Sequence, residues 1–221
     1  MTNQKTLTML KINSFTFNPF QENTYVLSDE TNQCIIVDPG CYTPEEKSEL
    51  ANFIDSNGLK PVKILLTHAH IDHVLGINFL AGKYDLPIVM NAIEIELLKS
   101  AGVYGQMWGV QVEPSPEPTE FLKDGDVFSF GNIELEVFFT PGHSPGSLSY
   151  FHRPSKQLLA GDVLFNGSIG RTDLPGGNFE TLEKSIRSKL YTLEDDVIVY
   201  SGHGPTTTIG REKRSNPFVN E

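Results

Sequence analysis

"KILLTHAHIDHVLG", residues 63–76, opens as a buried strand: Ile64, Leu65 and Leu66 form a short apolar run. His68, His70, Asp72 and His73 then crowd onto six residues. Three imidazoles and a carboxylate this close repel or desolvate one another unless a cation sits among them. Mixed His/Asp ligation is what borderline metals such as zinc favour. The stretch therefore reads as a strand that delivers metal ligands at its end.

Three more apolar runs end in the same way. "FFTPG" leads to His143, "LLAG" to Asp162 and "VIVYSG" to His203. Sites in layered α/β folds form where loops leave a rigid sheet. Alone, His143 or His203 would read as a hydrogen-bonded loop residue, and Asp162 as a turn former or helix cap. Together with the 68–73 cluster they read as ligands. His152, in "YFHRP", stands apart and reads as a surface or turn histidine.

The spacing suggests two cations. His68 and His70 are two apart, so in an extended segment they face the same way and can chelate one ion. Asp72 and His73 follow as the chain turns, so they point elsewhere and can hold a second. His143 would complete the first site and His203 the second, with Asp162 able to bridge. Asp38, at the end of "IIVDPG", reads either as a carboxylate orienting a ligand or as a plain Asp-Pro-Gly turn former.

"GHSPG", residues 142–146, fits the G-x-S-x-G pattern of serine hydrolases. In that pattern the residue after the serine donates a backbone N–H to the oxyanion hole. Here it is Pro145, which has none. The following "SLSYF" also reads as strand rather than helix. Ser144 is a poor nucleophile candidate.

Outward from the site, "LKINSFTFN", "NTYVLSD" and "QCIIVDPG" read as strands. "TPEEKSELANFIDSNG" reads as a helix capped by Thr43, with Pro44 at its first position and Gly58 past its end. A short helix is expected from about His73 to Gly82, followed by the strand "PIVM". Asn91 and Glu94 form a candidate capping box for "AIEIELLKSAG". "EPSPEP", residues 113–118, reads as a surface crossover inside one domain spanning 1–221, with a domain boundary as the alternative. "DVFSFG", "IELEVFFT", "SLSYFHR" and "KQLLAGD" are strands, "TLEKSIRSKLYTL" is a helix and "VIVYSGHG" is a last strand. Strands in both halves, separated by helices, predict an α/β fold of two packed sheets with helices outside.

The net charge is −11, carried entirely by residues 1–150, with 8 basic and 19 acidic side chains. Residues 151–221 hold 9 of each sign. An acidic chain is a poor trap for polyphosphate, which speaks against nucleic acid as a partner. There is no membrane-spanning run and no apolar segment of a signal peptide. Cys34 and Cys41, seven apart, read as two reduced thiols. A cytoplasmic protein is expected.

H-x-H-x-D-H (68–73), "TPGHSPGS" (140–147), "GDVLF" (161–165) and "SGHGP" (201–205) resemble the metallo-β-lactamase superfamily, from about residue 10 onward. The resemblance implies a four-layer αβ/βα sandwich with a dinuclear site between the sheets. It implies His68, His70 and His143 on one metal, Asp72, His73 and His203 on the other, and Asp162 between them. "NPFQENTYVL" (18–27), "GSIGRTDLPGG" (167–177) and "TIGREKRSNPF" (208–218) are most similar to the short glyoxalase II-like hydrolases, which are thioesterases. Arg171 matches the basic residue that grips the glycine carboxylate of glutathione in glyoxalase II; the alternative is a structural arginine paired with Asp173. Glyoxalase II has a further helical domain, for which a chain ending at Glu221 leaves no room, and Glu-Tyr where this chain has Gly204-Pro205. Arg211, Lys213 and Arg214 read as a solvated basic tail.

The chemistry this implies is hydrolysis of a small-molecule thioester such as S-lactoylglutathione. Two divalent ions, zinc first, with iron or manganese also suited, would bridge a water and lower its pKa to about 7. Asp72 would orient that hydroxide and take its proton. Trp108 and Met107 are candidates to line the substrate wall. A persulfide dioxygenase, with one iron on His68, His143 and Asp162, is the alternative, since such oxygenases share a G-R-T-D stretch like Gly170–Asp173. They carry Asp-Tyr after the last histidine, however, where this chain has the hydrolase form "SGHGP". A β-lactamase is a third reading, weakened by the missing signal peptide.

Overall fold

In the run Cys34–Val37, Ile35 and Val37 face one side and Cys34 and Ile36 the other, and all four are buried. A strand apolar on both faces needs a layer on each. The computed structural model, which describes residues 9–220, supplies both.

The first sheet runs β1 (Lys11–Phe17), β2 (Glu22–Ser28), β3 (Gln33–Val37), β4 (Lys60–Leu65), β5 (Ile88–Met90) and β6 (Glu120–Phe121), in that spatial order. The pairs β1–β2 and β2–β3 are antiparallel; β3 to β6 are parallel. Parallel neighbours require crossovers. These are α1 (Pro44–Ser56), α2 (Ile77–Tyr84) and α3 (Ile95–Met107). "EPSPEP" carries the chain from α3 to β6, within this sheet.

The second sheet comprises β7 (Val127–Phe130), β8 (Ile133–Phe139), β9 (Leu148–His152) and β10 (Gln157–Gly161). A small hairpin follows, β11 (Leu164–Phe165) with β12 (Ser168–Ile169), and then β13 (Ile198–Ser201) and β14 (Thr207–Thr208). Their order is β14-β13-β10-β9-β8-β7, with β10 and β13 parallel. α4 (Phe179–Ser185), prolonged by a π turn over Ile186–Leu190, makes that crossover, and α5 (Ile209–Ser215) follows β14.

Three apolar layers result. Tyr25, Leu27, Ile35 and Val37 of the first sheet meet Leu135, Val137 and Tyr150 of the second. Ile36, Ile64 and Ile88 pack under α1–α3, and Phe151, Leu158 and Val199 under α4 and α5. The fold is therefore the expected α/β sandwich of four layers.

α1 has the expected start: Thr43 Oγ1 accepts the Glu46 N–H at 3.2 Å and Glu46 Oε2 accepts the Thr43 N–H at 3.0 Å. Four expectations need correction. The helix over 73–82 is instead a single 3-10 turn, Ile71–His73, followed by α2 from Ile77. Asn18 Nδ2 takes the Asp72 carbonyl, and the Gly76 N–H, its helical partner, goes to the Pro39 carbonyl. The Asn91–Glu94 capping box does not form; Asn91 Oδ1 accepts from Ile93 N–H, while Glu94 turns into the core. His152 is buried, with Nδ1 2.5 Å from Ser155 Oγ, and burial lowers its pKa. Arg211, Lys213 and Arg214 lie on α5 rather than on a tail, and the last two pair with Asp195. Both cysteines are free and buried. Among the described residues no helix is long and apolar enough to cross a membrane.

Candidate metal centre

The strand ends converge as the spacing requires. His68, His70 and His143 form one group, and Asp72, His73 and His203 another; in each, one ligand atom per residue lies within 4.8 Å of the others. His70 Nδ1 is 2.7 Å from His143 Nε2. Asp162 stands between the groups. Its Oδ2 is 3.4 Å from His143 Nε2 and 3.5 Å from His203 Nε2, and its Oδ1 is 3.4 Å from His73 Nε2. Asp72 Oδ2 lies 3.1 Å from His203 Nε2 and 3.7 Å from His73 Nε2.

Glycines let the loops approach this closely. A Cβ on Gly202 would sit 2.1 Å from Asp162 Oδ1 and 2.8 Å from His73 Cε1. Gly161 has φ +50°, and a Cβ there would strike Thr67 Oγ1.

The outward ring nitrogens set the tautomers. His143 Nδ1 is 2.7 Å from the Arg171 carbonyl and His203 Nδ1 3.2 Å from that of Gln21. His73 Nδ1 is 3.1 Å from Asp38 Oδ2, and His68 Nδ1 is 3.0 Å from Thr67 Oγ1, which donates to that same oxygen. Carbonyls and carboxylates only accept, so the outward nitrogens of His73, His143 and His203 carry protons, and with a cation bound the inward ones would present their lone pairs to it. Of Asp38's two readings, the orienting one matches its position: it holds a histidine of each group, directly or through Thr67.

Burial leaves His68 Nε2, His73 Nε2 and Asp162 Oδ1 without a hydrogen bond. Unpaired buried polar atoms are costly, and three that converge fit a bound cation. The donor set of imidazole nitrogens and carboxylate oxygens fits divalent metals.

Left to protons alone, His68 and His70 behave oppositely to His73 and His203. Burial, with the facing imidazoles, pushes His68 well down and His70 down to about 3. Burial would lower His73 too, but the Asp162 and Asp72 carboxylates lift it well above its ordinary range. Against burial, hydrogen bonds to the same two carboxylates raise His203 to about 9. Burial would raise Asp162, yet His73 and His203 hold it well below the usual carboxylate range.

A cavity of about 440 Å³ opens on Asp162 and His70. Trp108 lines it, as expected; Met107 is not among its walls and is 75% exposed. Arg171 also lines it, and its guanidinium donates to both Asp173 oxygens at 2.7 Å. Ser144 Oγ is buried and donates to Glu94 Oε1 at 2.5 Å, which agrees with setting it aside as a nucleophile.

Several supporting residues escape sequence reasoning. Asn23 Nδ2 donates to the Ser201 and Gly204 carbonyls and so holds the His203 loop. Glu22, buried behind His73, has its carboxyl pushed well up by desolvation. Glu94 joins the His68–His70 segment to the His143 loop. A charged residue inside an otherwise apolar run, as in Ile93-Glu94-Ile95, was the one available signal.

The family model for the metallo-beta-lactamase superfamily matches residues 17–203. The chain is 43% identical over 203 residues to a probable metallo-hydrolase, YqgX, of Bacillus subtilis, covering 91% of this chain and 94% of that one. It is 37% identical to the hydroxyacylglutathione hydrolase GloC of Haemophilus influenzae, with the same coverage. Among solved structures, the BLEG-1 B3 metallo-beta-lactamase superposes with a TM-score of 0.88 at 35% identity, covering 96% of this chain and 100% of that one. TTHA1623 in a di-iron-bound form superposes with a TM-score of 0.85 at 36% identity, covering 93% and 99%.

Proposed function

The chain belongs to the metallo-β-lactamase superfamily, and from that premise we propose that it is a metal-dependent hydrolase of thioesters. The observation that carries this reading is the place of Asp162. One carboxylate stands within 3.5 Å of a histidine of each group, at the floor of a cavity large enough for a small acyl-thiol.

His68, His70 and His143 would hold one divalent cation, Asp72, His73 and His203 a second, and Asp162 would reach both. Bound there, zinc, iron or manganese would supply Lewis acidity, making a water acidic near neutral pH and polarising a carbonyl. Asp72, partly open to the cavity, is placed to accept the proton of an attacking water. Asp38 and Thr67 keep the imidazoles aligned. A thiolate leaves from a thioester with little acid assistance, because its thiol has a pKa of about 8.5. No side-chain nucleophile is required. Ser144 is engaged by Glu94, and burial pushes both cysteine thiols up to about 12.

The likeness to GloC makes S-lactoylglutathione the first substrate to try. Among the described residues Arg171 is the one lysine or arginine lining the cavity, and it is the residue there that would grip a substrate carboxylate in exchange for Asp173. The reading is tested by purifying the protein without added metal and measuring elemental content beside anaerobic hydrolysis of S-lactoylglutathione. Two equivalents of metal with oxygen-independent cleavage support it. One iron with oxygen consumption on glutathione persulfide would replace it with the dioxygenase, which needs only His68, His143 and Asp162 and leaves the Asp72 group without a task.

A further inference from the structure

The cavity's walls are specific in a way its metal ligands are not. Phe20, on the turn between β1 and β2, meets Trp108, just past α3, edge to face at 6.1 Å between ring centroids. Leu97 and Tyr104, seven apart on α3, continue the same wall. Phe165 of the small hairpin, also in the lining, stands 6.0 Å from the His203 ring at 83°. Ile169, Leu174 and Pro175 add further apolar lining.

Away from the metal ligands, Arg171 is the one lysine or arginine of this lining among the described residues, and it is already bound in two-pronged fashion by Asp173. A glutathione conjugate brings two carboxylates and an ammonium. To seat one carboxylate on Arg171 exchanges one exposed ion pair for another, which gains little. Among the described residues no second lysine or arginine lines the cavity to meet the other carboxylate, and the protein's net charge of −11 opposes its approach. An uncharged apolar group instead displaces water from aromatic walls and gains in proportion to the area covered.

We infer that this cavity selects thioesters whose enclosed group is uncharged and apolar over conjugates of glutathione. The inference rests on the thioesterase reading above and names the substrate class within it.

Trp108 is the only tryptophan in the chain, so its fluorescence reports on the cavity directly. The metal-loaded full-length protein is titrated with two thioethers that cannot be hydrolysed, S-benzyl-N-acetylcysteamine and S-methylglutathione. The benzyl thioether is expected to change Trp108 emission saturably, with a Kd about tenfold or more below that of S-methylglutathione. Phe20→Ala is expected to weaken it by about tenfold, and Phe20→Leu, which keeps the wall apolar, by less. Hydrolysis of S-benzoyl-N-acetylcysteamine and S-lactoylglutathione is then compared as kcat/KM, with the benzoyl thioester expected to lead. Equal or tighter binding of S-methylglutathione, no binding of the benzyl thioether, or faster turnover of S-lactoylglutathione overturns the selectivity while leaving a thioesterase. Tight benzyl binding with no thioester cleaved overturns the thioesterase reading and leaves the selectivity of the cavity standing.

Discussion

Glu94 Oε1 accepts the backbone N–H of Gly146 at 2.6 Å. The same oxygen takes the Ser144 hydroxyl, and Oε2 takes the backbone N–H of Ala69 at 2.9 Å. Ala69 lies between His68 and His70, and Ser144 follows His143. One fully buried carboxylate thus sets the distance between two histidines delivered by the first sheet and one delivered by the second.

Glu94→Ala should therefore cost both stability and metal. The Ala69 and Gly146 N–H groups would be left buried and unpaired, at about 1–3 kcal/mol each before any repacking, while the Ser144 hydroxyl keeps Ser147 Oγ, 3.1 Å away. A loss of at least about 2 kcal/mol in urea unfolding is expected, with metal affinity about 10–100-fold weaker in a chelator competition. Glu94→Gln, which keeps one acceptor oxygen, should fall between. Wild-type midpoint and affinity in Glu94→Ala would show that the loops are held apart from this residue.

Asp38 acts on the other side of the histidines. Its φ of +48° is a conformation that asparagine tolerates, so Asp38→Asn preserves the backbone while it removes the charge and turns one acceptor oxygen into a donor. The His73 Nδ1–H and the Thr67 hydroxyl would lose a charged acceptor. Metal affinity should drop by about 10–100-fold with little change in circular dichroism. Unchanged metal retention after dialysis against a chelator would reduce Asp38 to a turn former.

Asp162 reaches both groups, so its loss should not be confined to one. Asp162→Ala is expected to lose most of its metal and nearly all turnover. Elemental analysis showing full occupancy at wild-type rate would remove the bridging role. Loss of a single equivalent would assign Asp162 to one group only.

What the sequence made legible, and what it hid, follows from the range of the forces involved. α1 was readable because its cap is local: Thr43 and Glu46 bond to each other's backbone within one turn. The site histidines and carboxylates were readable because their crowding at strand ends makes no sense without a cation. Glu94 carries the same local pattern as Glu46, three residues after a capping side chain, yet its carboxylate is claimed by donors 25 to 52 residues away in sequence. The expected helix starts at Ile77 instead of His73 for the same reason, since Asn18 and Pro39 take the groups that would have formed its first turn. α5 was hidden behind its charges. Its buried Glu212 accepts from Thr207, Gly167 and Asn216, so it anchors a segment whose Arg-Glu-Lys-Arg composition suggests a tail.

Cys34 and Cys41 make a last expectation that involves neither metal nor substrate. Both are buried and free, and desolvation pushes each thiol from near 9 up to about 12. At pH 8 the native protein should react slowly with a thiol reagent such as dithiobisnitrobenzoate, and two thiols should react once it is unfolded. The same shift couples to stability. Above pH 9 the unfolded chain gives up these protons while the folded one keeps them, so stability falls as pH rises toward 12, by about 1.4 kcal/mol per pH unit for each thiol. Burial raises the Tyr25 and Tyr84 hydroxyls as well, so the thiols' share has to be read as a difference. A Cys34→Ala/Cys41→Ala variant should show a shallower decline than the parent between pH 9.5 and 10.5, by up to about 2.7 kcal/mol. Equal slopes in urea melts of the two proteins would mean that the thiols ionise in the folded chain as they do in the unfolded one.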